Sequence, residues 1–250
     1  MLSREAPRVS IVMPAYNAQD FITRAIDSVL SQTFDSWELI VVDDCSTDAT
    51  GSQVLNYSDV RIRYVKNSGN LGVAEARNRA IDMARGEYIA FLDSDDEWLP
   101  HKLDAQVGLL DDGASITYGD YVRVAEDVRR LAMVSAPKSL RYQDMLKSNF
   151  IGNLTGIFRK DLFPNLRFEK GGHEDYVFWL RAVKIAGVIH ATLPGTPLAR
   201  YRVLEKSLSS DKTKAMRWQW RIYRNVLKMS FAQSIYYFSF YVLNAVRKRW

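Results

Sequence analysis

Asp93, Ser94, Asp95 and Asp96 follow the apolar run Tyr88 to Leu92, so three carboxylates stand where a buried strand would leave the core. Carboxylates crowded in this way repel one another and call for a cation. Hard divalent ions such as Mg²⁺ and Mn²⁺ take oxygen ligands and keep positions open for phosphates. A pair of acids at a strand end therefore suits a metal-diphosphate site and an activated nucleotide as substrate. The same residues could instead form a solvated acidic turn, with Asp96 capping a helix from Glu97 to Asp111.

The elements that would position these acids are legible as alternating periods. Val9 to Met13, Leu39 to Val42, Ile62 to Val65 and Tyr88 to Leu92 are short runs rich in β-branched or aromatic residues and read as strands. Phe21, Ile22, Ala25, Ile26, Val29 and Leu30 recur at helical spacing, and Val73 to Ala84 does so after the turn Asn67 to Gly72. The order β-α-β-α-β-α-β predicts an α/β fold with a mostly parallel, Rossmann-like central sheet, whose ligands collect at the carboxyl ends of the strands. Asp43, Asp44 and the Asp93 to Asp96 cluster all fall at such ends.

Beyond Asp112 the pattern predicts a mixed sheet. It comprises a hairpin-like pair over Ile116 to Val124 and Val128 to Val134, a short helix over Tyr142 to Ser148, a helix over Tyr176 to Ala186, and strands over Val188 to Ala191 and Leu198 to Arg202.

No GxGxxG follows the first strand. Pro14, Ala15, Tyr16 and Asn17 stand there instead, which argues against a dinucleotide fold gripping pyrophosphate on a glycine turn. Tyr16 is a candidate to stack on a base, and Asp44 to accept hydrogen bonds from the base or ribose. The structural alternatives are packing of Tyr16 under a loop and capping of the helix after Ser46 by Asp43 and Asp44.

Composition narrows the setting. With 250 residues, 47% hydrophobic and 25% charged, the chain can bury a full core as one large domain or one domain with an appendage. The single Cys45 excludes an internal disulfide framework, and His101, His173 and His190 lack the spacing of a zinc site. The opening residues show no basic segment followed by an apolar stretch and a cleavage site, so a cytoplasmic setting is expected.

Residues 212–250 carry nine Lys or Arg and no Asp or Glu; with a whole-chain charge of +5, residues 1–211 are left at −4. Such a tail has its own partner. Its aromatic residues, Trp218, Trp220, Tyr223, Phe231 and Tyr236 among them, fit anionic lipid headgroups at the inner face of the cytoplasmic membrane better than nucleic acid. Residues 229–246 are uncharged, but Ser230, Gln233, Ser234, Ser239 and Asn244 make them a poor spanning helix. Two helices are expected, Lys212 to Met229 and Phe231 to Val246, with the second lying flat in the interface. The alternative is a pair packed on the catalytic domain or on the second subunit of a homodimer.

Five segments now form an ordered set: Val-Ser-Ile-Val-Met-Pro-Ala-Tyr-Asn, Val-Val-Asp-Asp-Cys-Ser-Thr-Asp, Asn-Leu-Gly-Val-Ala-Glu-Ala-Arg-Asn, Phe-Leu-Asp-Ser-Asp-Asp and Glu-Asp-Tyr-Val-Phe-Trp-Leu-Arg. The chain resembles a family 2 glycosyltransferase with the GT-A fold, of the kind that builds bacterial surface polysaccharide such as O-antigen, capsule or teichuronic acid. The resemblance runs from Val9 to about Ser210. It implies a catalytic domain over 1–211, with a nucleotide-binding half over 1–112 and an acceptor half over 113–211, followed by the helical extension 212–250.

By the same resemblance Pro14, Ala15, Tyr16, Asn17, Asp44, Arg77, Asp93 and Ser94 match positions that hold the nucleotide. Asp93 and Asp95 match the DxD pair, with Asp95 as the direct ligand of Mn²⁺ or Mg²⁺. Asp175 is implied as general base, with Glu174 beside it, although the two acids could simply occupy the favourable first turn of a helix. The resemblance further implies inversion at the anomeric carbon, a nucleotide-sugar donor, most often a UDP-sugar, and a lipid-linked oligosaccharide acceptor. One departure stands out: Leu204 stands where many members have a histidine that often helps bind the metal or diphosphate, which leaves the metal shell incomplete; Arg202, Lys206 or Ser207 could instead contact the diphosphate. The competing readings are a metal-dependent nucleotidyltransferase or phosphatase, and a catalytically silent sugar-nucleotide-binding scaffold on the membrane. A haloacid-type phosphatase would need its nucleophilic acid pair on the first strand, which offers Met13 and Pro14.

Overall fold

The computed structural model describes residues 6–125, 129–203 and 212–247. Its strands are β1 Val9–Ala15, β2 Trp37–Asp43, β3 Ile62–Lys66, β4 Tyr88–Phe91, β5 Glu97–Trp98, β6 Ile116–Gly119, β7 Tyr121–Val124, β8 Arg130–Val134, β9 Ser139–Leu140, β10 Ile157–Arg159, β11 Ile189–Thr192 and β12 Ala199–Arg202. Its helices are α1 Ile22–Leu30, α2 Thr50–Leu55, α3 Val73–Met83, α4 Lys102–Asp111, α5 Tyr142–Met145, α6 Glu174–Ala186, α7 Lys212–Arg221 and α8 Phe231–Arg247.

β1 and β2 are buried at every position, as strands covered on both faces must be. They belong to an eight-stranded sheet of order β3-β2-β1-β4-β10-β6-β11-β9, in which β3, β2, β1 and β4 run parallel and β10 runs antiparallel beside β4. The parallel half thus confirms the expected β-α units, and its acids emerge at one end. On one face Val12, Ile40, Val42 and Phe91 meet Ala76 and Ala80 of α3 and Phe178 and Trp179 of α6. On the other, Ile11, Met13, Leu39 and Val41 meet Ala25, Ile26 and Val29 of α1 and Leu103 and Val107 of α4. Each Val, Leu, Ile, Phe or Met among them contributes on the order of 1.5–3 kcal/mol by leaving water.

Phe91, the last residue of β4, stands edge-on to Phe168, Phe178 and Trp179 at centroid distances of 5.1, 5.3 and 5.8 Å. Phe168 in turn stacks on Phe178 at 4.1 Å and 10°. These offset and T-shaped pairs bury large apolar area with a defined geometry. They fix the start of α6 against the carboxyl end of β4.

The expected hairpin strand Ile116 to Val124 is in fact two strands in two sheets. β6 joins the main sheet, whereas β7 joins a four-stranded sheet of order β5-β12-β7-β8. The chain breaks at Asp120, whose carboxylate accepts the backbone N–H groups of Ala136 at 2.6 Å and Gly195 at 2.8 Å, while its carbonyl accepts from Leu198 at 2.8 Å. Three turns are pinned to one buried acid. Val128 of the expected partner strand lies outside the described residues; β8 itself pairs antiparallel with β7.

α7 continues through a π-helical turn over Ile222–Val226, and Lys228 at φ +52° reverses the chain into α8. Ile222 and Tyr223 are buried in the core that contains α6. The Tyr223 hydroxyl donates to the Leu146 carbonyl at 2.6 Å, and the Asn244 amide donates to the Lys147 carbonyl at 3.3 Å. The inner side of the C-terminal pair therefore packs on the catalytic domain, the alternative that its composition had left second. Among the described residues no helix is long and apolar enough to cross a membrane.

Replacing Asp120 by Ala removes two hydrogen bonds from part-buried N–H groups to a buried carboxylate, each bond to a charged acceptor being worth about 1.5–3 kcal/mol. Urea unfolding should show a loss of at least about 2 kcal/mol, and stability equal to the wild type would refute the pinning role.

Candidate active site

The acidic turn after β4 is held from below by two buried arginines. The Arg77 guanidinium, on α3, donates to Asp93 Oδ1 at 2.6 Å, and its side chain is only 7% exposed. Burial alone would weaken its hold on the proton, but the charge of Asp93, reinforced by Asp175 and Glu174, more than offsets this and raises its pKa. Arg77 thus lies in the field of both acid pairs named from the sequence. Its guanidinium also sits 5.1 Å over the Phe168 ring.

Arg202, on β12, is the second clamp. Its backbone N–H donates to Asp96 Oδ1 at 2.9 Å, its Nε donates to the Asp95 carbonyl at 3.1 Å, and its terminal nitrogen pairs with Glu97. The guanidinium that was expected to contact a diphosphate is therefore committed to the turn that carries the acids. Asp96 is not a helix cap: β5 follows it, α4 begins only at Lys102 with His101 as its N-cap, and the buried carboxylate receives Arg202 instead. Burial first, then the charges of Asp95 and Asp93, push the Asp96 carboxyl well above the usual range. Asp95 is pushed up to about 6 by burial and by the charge of Asp93, with Arg202 and Arg77 opposing.

The ends of β1 and β2 form the neighbouring wall. Pro14 and Ala15 are buried at the end of β1, and Tyr16 follows with its side chain 51% exposed, so it is not packed under a loop. Asn17, in the left-handed region at φ +47°, donates its N–H to Ser46 Oγ at 2.9 Å and accepts the Thr47 N–H on Oδ1 at 2.9 Å. Asp43 accepts from the Ser46 N–H and the Tyr64 hydroxyl. Asp44 accepts from the Asn67 amide at 2.7 Å and from the N–H groups of Leu71 and Gly72 at 2.9 and 2.7 Å. It ties the turn before α3 to β2, and Gly72 at φ +94° takes a backbone conformation that side-chain-bearing residues avoid. Ser94 is half-buried between Asp93 and Asp95.

Across the aromatic cluster, Glu174 and Asp175 occupy the first turn of α6, where a helix favours negative charge. Glu174 Oε1 accepts the Gly172 N–H at 3.2 Å, and Asp175 Oδ2 accepts the Asn149 amide at 3.2 Å. Tyr121 of β7 lies in the field of Asp96 and Asp175, and its hydroxyl is pushed up to about 12, mainly by burial. Asn149, Tyr121 and Glu97 carry no motif and were not singled out from the sequence. Leu204, Lys206 and Ser207 lie outside the described residues.

Among the described residues no group of three His, Cys, Asp or Glu is arranged to hold a metal ion. Two oxygen-donor carboxylates are nevertheless a sufficient set for an ion that leaves most of its positions to phosphate and water. A cavity of about 690 Å³ lined by Pro7, Arg8, Arg85, Lys160 and Phe163 opens at the amino ends of β1 and β4. It contains none of these acids.

Residues 10–167 match the model of the family "Glycosyl transferase family 2". The chain belongs to glycosyl transferase family 2 and has the GT-A fold. TuaG of Bacillus subtilis (strain 168), a glycosyltransferase assigned to teichuronic acid biosynthesis, is 37% identical over 252 residues, 97% of this chain and 98% of that protein. The Escherichia coli UDP-Glc:alpha-D-GlcNAc-diphosphoundecaprenol beta-1,3-glucosyltransferase WfgD is 38% identical over 241 residues, 96% of this chain and 94% of that protein. The crystal structure of S. aureus TarS 1–349 in complex with UDP-GlcNAc superposes with a TM-score of 0.72 at 21% identity, covering 94% of this chain and 71% of that one; it shares the fold. The relatives are glycosyltransferases of bacterial polysaccharide synthesis, and the nucleotidyltransferase and phosphatase readings end here.

The raised Asp95 carboxyl has a sign that can be tested. Its folded pKa lies above the unfolded value, so its contribution to stability is fully present below pH 4 and is lost as pH rises through about 6. Asp95→Asn should therefore stabilise the ligand-free protein little at pH 4 and progressively more up to pH 7 in paired thermal melts. A pH-independent difference would show that Asp95 is not strained.

Proposed function

We propose that the protein is an inverting glycosyltransferase that moves a sugar from a nucleotide-sugar donor, a UDP-sugar by preference, to a lipid-linked oligosaccharide. The observation that carries this reading is Arg77, whose single buried charge serves Asp93 on one side and Glu174 with Asp175 on the other. Donor and acceptor chemistry need such proximity, because the reacting oxygen and the anomeric carbon must approach to about 3–3.5 Å.

In this reading the base stacks on exposed Tyr16, in the wall formed by Pro14, Ala15 and Asn17. Asp44 serves that wall by holding the 67–72 turn or by accepting from the base. Asp93 and Ser94 face the ribose and diphosphate. Asp95, with Asp93, would hold Mn²⁺ or Mg²⁺, which when bound neutralises charge on the departing diphosphate, worth several kcal/mol.

The acceptor hydroxyl attacks the anomeric carbon from the face opposite the diphosphate. Its proton passes to the Asp175 carboxylate, the carbon–oxygen bond to the diphosphate breaks with its electron pair leaving on the nucleoside diphosphate, and the configuration inverts. Asn149 orients Asp175 by its hydrogen bond. The likeness to WfgD, named for a diphosphoundecaprenol-linked acceptor, supports the choice of a lipid-linked glycan.

A lipid-linked acceptor calls for contact with the cytoplasmic face of the membrane. Phe231, Ile235, Tyr236, Val242 and Leu243 are exposed and, at 100° per residue, share one side of α8. Exposed cations Arg217, Arg221 and Lys228 stand nearby in sequence, and no acid follows residue 211 to repel anionic lipid. An apolar stripe beside cations fits an anionic bilayer.

Asp175→Asn should bind UDP and donor as the wild type does but turn over about 10²- to 10⁴-fold more slowly; unchanged turnover would remove Asp175 from the mechanism. Ile235→Asp with Leu243→Asp should abolish sedimentation with phosphatidylglycerol-rich vesicles at unchanged secondary structure. Retained sedimentation, or conversion of a dimer to a monomer in light scattering, would assign the stripe elsewhere.

A further inference from the structure

The loop that delivers Glu174 and Asp175 is conformationally demanding. Gly171, Gly172 and His173 have φ of +154°, +82° and +52°, and His173, the N-cap of α6, is a side-chain-bearing residue in the left-handed region. Such a conformation persists only where its surroundings hold it. What holds it comes from the C-terminal extension. The Trp218 indole of α7 lies directly across Gly172, so closely that any side chain at 172 would collide with the ring, and it meets the His173 imidazole edge-on at 5.3 Å and 81°.

Trp218 is itself fixed on both sides. Next to it, Gln219 is buried, and one turn on Ile222 and Tyr223 enter the core. Tyr176, in the first turn of α6, donates to the Met145 carbonyl at 2.8 Å, and Tyr223 donates to that of Leu146. The two tyrosines and buried Gln219 thereby brace the end of α7 and the turn after it across the amino end of α6. On the outer side Trp220 packs edge-on against Phe231 and Phe238 of α8 at 5.9 and 5.5 Å. A continuous chain of rings and helices runs from α8 to the loop before Asp175.

We infer that Trp218 is a positioning residue for transfer: by clamping Gly172 and His173 it sets the direction in which Glu174 and Asp175 leave the loop. The inference rests on the assignment of Asp175 as base. It gives the extension a second task, since the segment that faces lipid also completes the acceptor side of the site. Among the described residues the ring of Trp218 meets Gly172, His173 and Lys214, so the nucleotide side is predicted to be indifferent to it.

The test uses the full-length protein with Trp218→Leu, which keeps apolar bulk without a ring, Trp218→Ala and Trp218→Phe. Two readouts serve: hydrogen exchange of the amides in 171–177, and kcat and KM with the nucleotide sugar that the wild type turns over in a screen of UDP-, GDP- and dTDP-sugars. The Leu and Ala variants should speed exchange in that loop and lower kcat by about tenfold or more, because small misplacements of reacting groups are costly. Donor KM and UDP binding should stay within about twofold of the wild type, and Phe should restore most of both signals. Wild-type exchange and kcat in Trp218→Leu would overturn the inference. So would a uniform loss of melting temperature, UDP binding and kcat in all three variants, which denotes a structural role only. Should Asp175→Asn prove fully active while Trp218→Leu still loosens the loop, the base assignment fails and the clamp itself stands.

Discussion

Charge crowding at the end of β4 is the constraint around which the molecule is arranged. Asp93, Asp95, Asp96 and Glu97 fall within five residues, and at about 4 Å two like charges in a protein-like medium repel by roughly 4 kcal/mol. Three arginines answer them. Arg77 reaches Asp93 from α3, Arg202 reaches the Asp96 and Glu97 side from β12, and Arg200 adds a partner for Glu97 at 3.2 Å. Burial drives the Asp96 carboxyl well above the usual range despite Arg202, and the half-buried Asp95, the more accessible of the two, rises to about 6. A turn built in this way retains an appetite for positive charge at one position. That suits the proposed role of the turn, in which it receives a diphosphate with its counter-ion and later releases both.

This arrangement explains two features of the topology. β12 is separated from β4 by over a hundred residues, yet it pairs with β5 immediately after the acidic turn, because the Arg202 backbone must reach Asp96. The split of the expected β6–β7 strand at Asp120 serves the same end: having left the main sheet, β7 pairs parallel with β12 and holds it beside the acidic turn. Charge compensation and the second sheet are one solution.

How much of this was legible follows from the range of each interaction. β1 to β4 and their helices were readable because an unbroken apolar run or a 3.6-residue period is a local signal. The DxD acids, Tyr16 and the Glu174-Asp175 pair were readable as types at strand and helix ends. The Asp96 cap was a reasonable local inference that a partner 106 residues away displaced. Asn149 and Tyr121 left no trace, and Trp218 was read only as a tail aromatic suited to lipid although it packs on Gly172 and His173; each is an ordinary polar or aromatic residue whose role exists only after distant segments meet. The C-terminal helices were ambiguous for another reason: their composition serves two faces, with Ile222 and Tyr223 turned to the core and Phe231, Ile235 and Leu243 turned outward. A composition averages over faces and cannot separate them.

The distance between the diphosphate acids and the proposed base is then a property of one aromatic stack. Phe168 carries the Arg77 guanidinium on its ring and lies flat against Phe178 of α6. Its backbone is tied to α3 twice, by its N–H to Asn78 Oδ1 at 2.8 Å and by its carbonyl from the Asn78 amide at 2.9 Å. The helix that supplies the arginine and the helix that supplies the base thus share a single packed spacer. Because packed interiors yield little to small forces, the two acid pairs keep their separation without any direct bond between them.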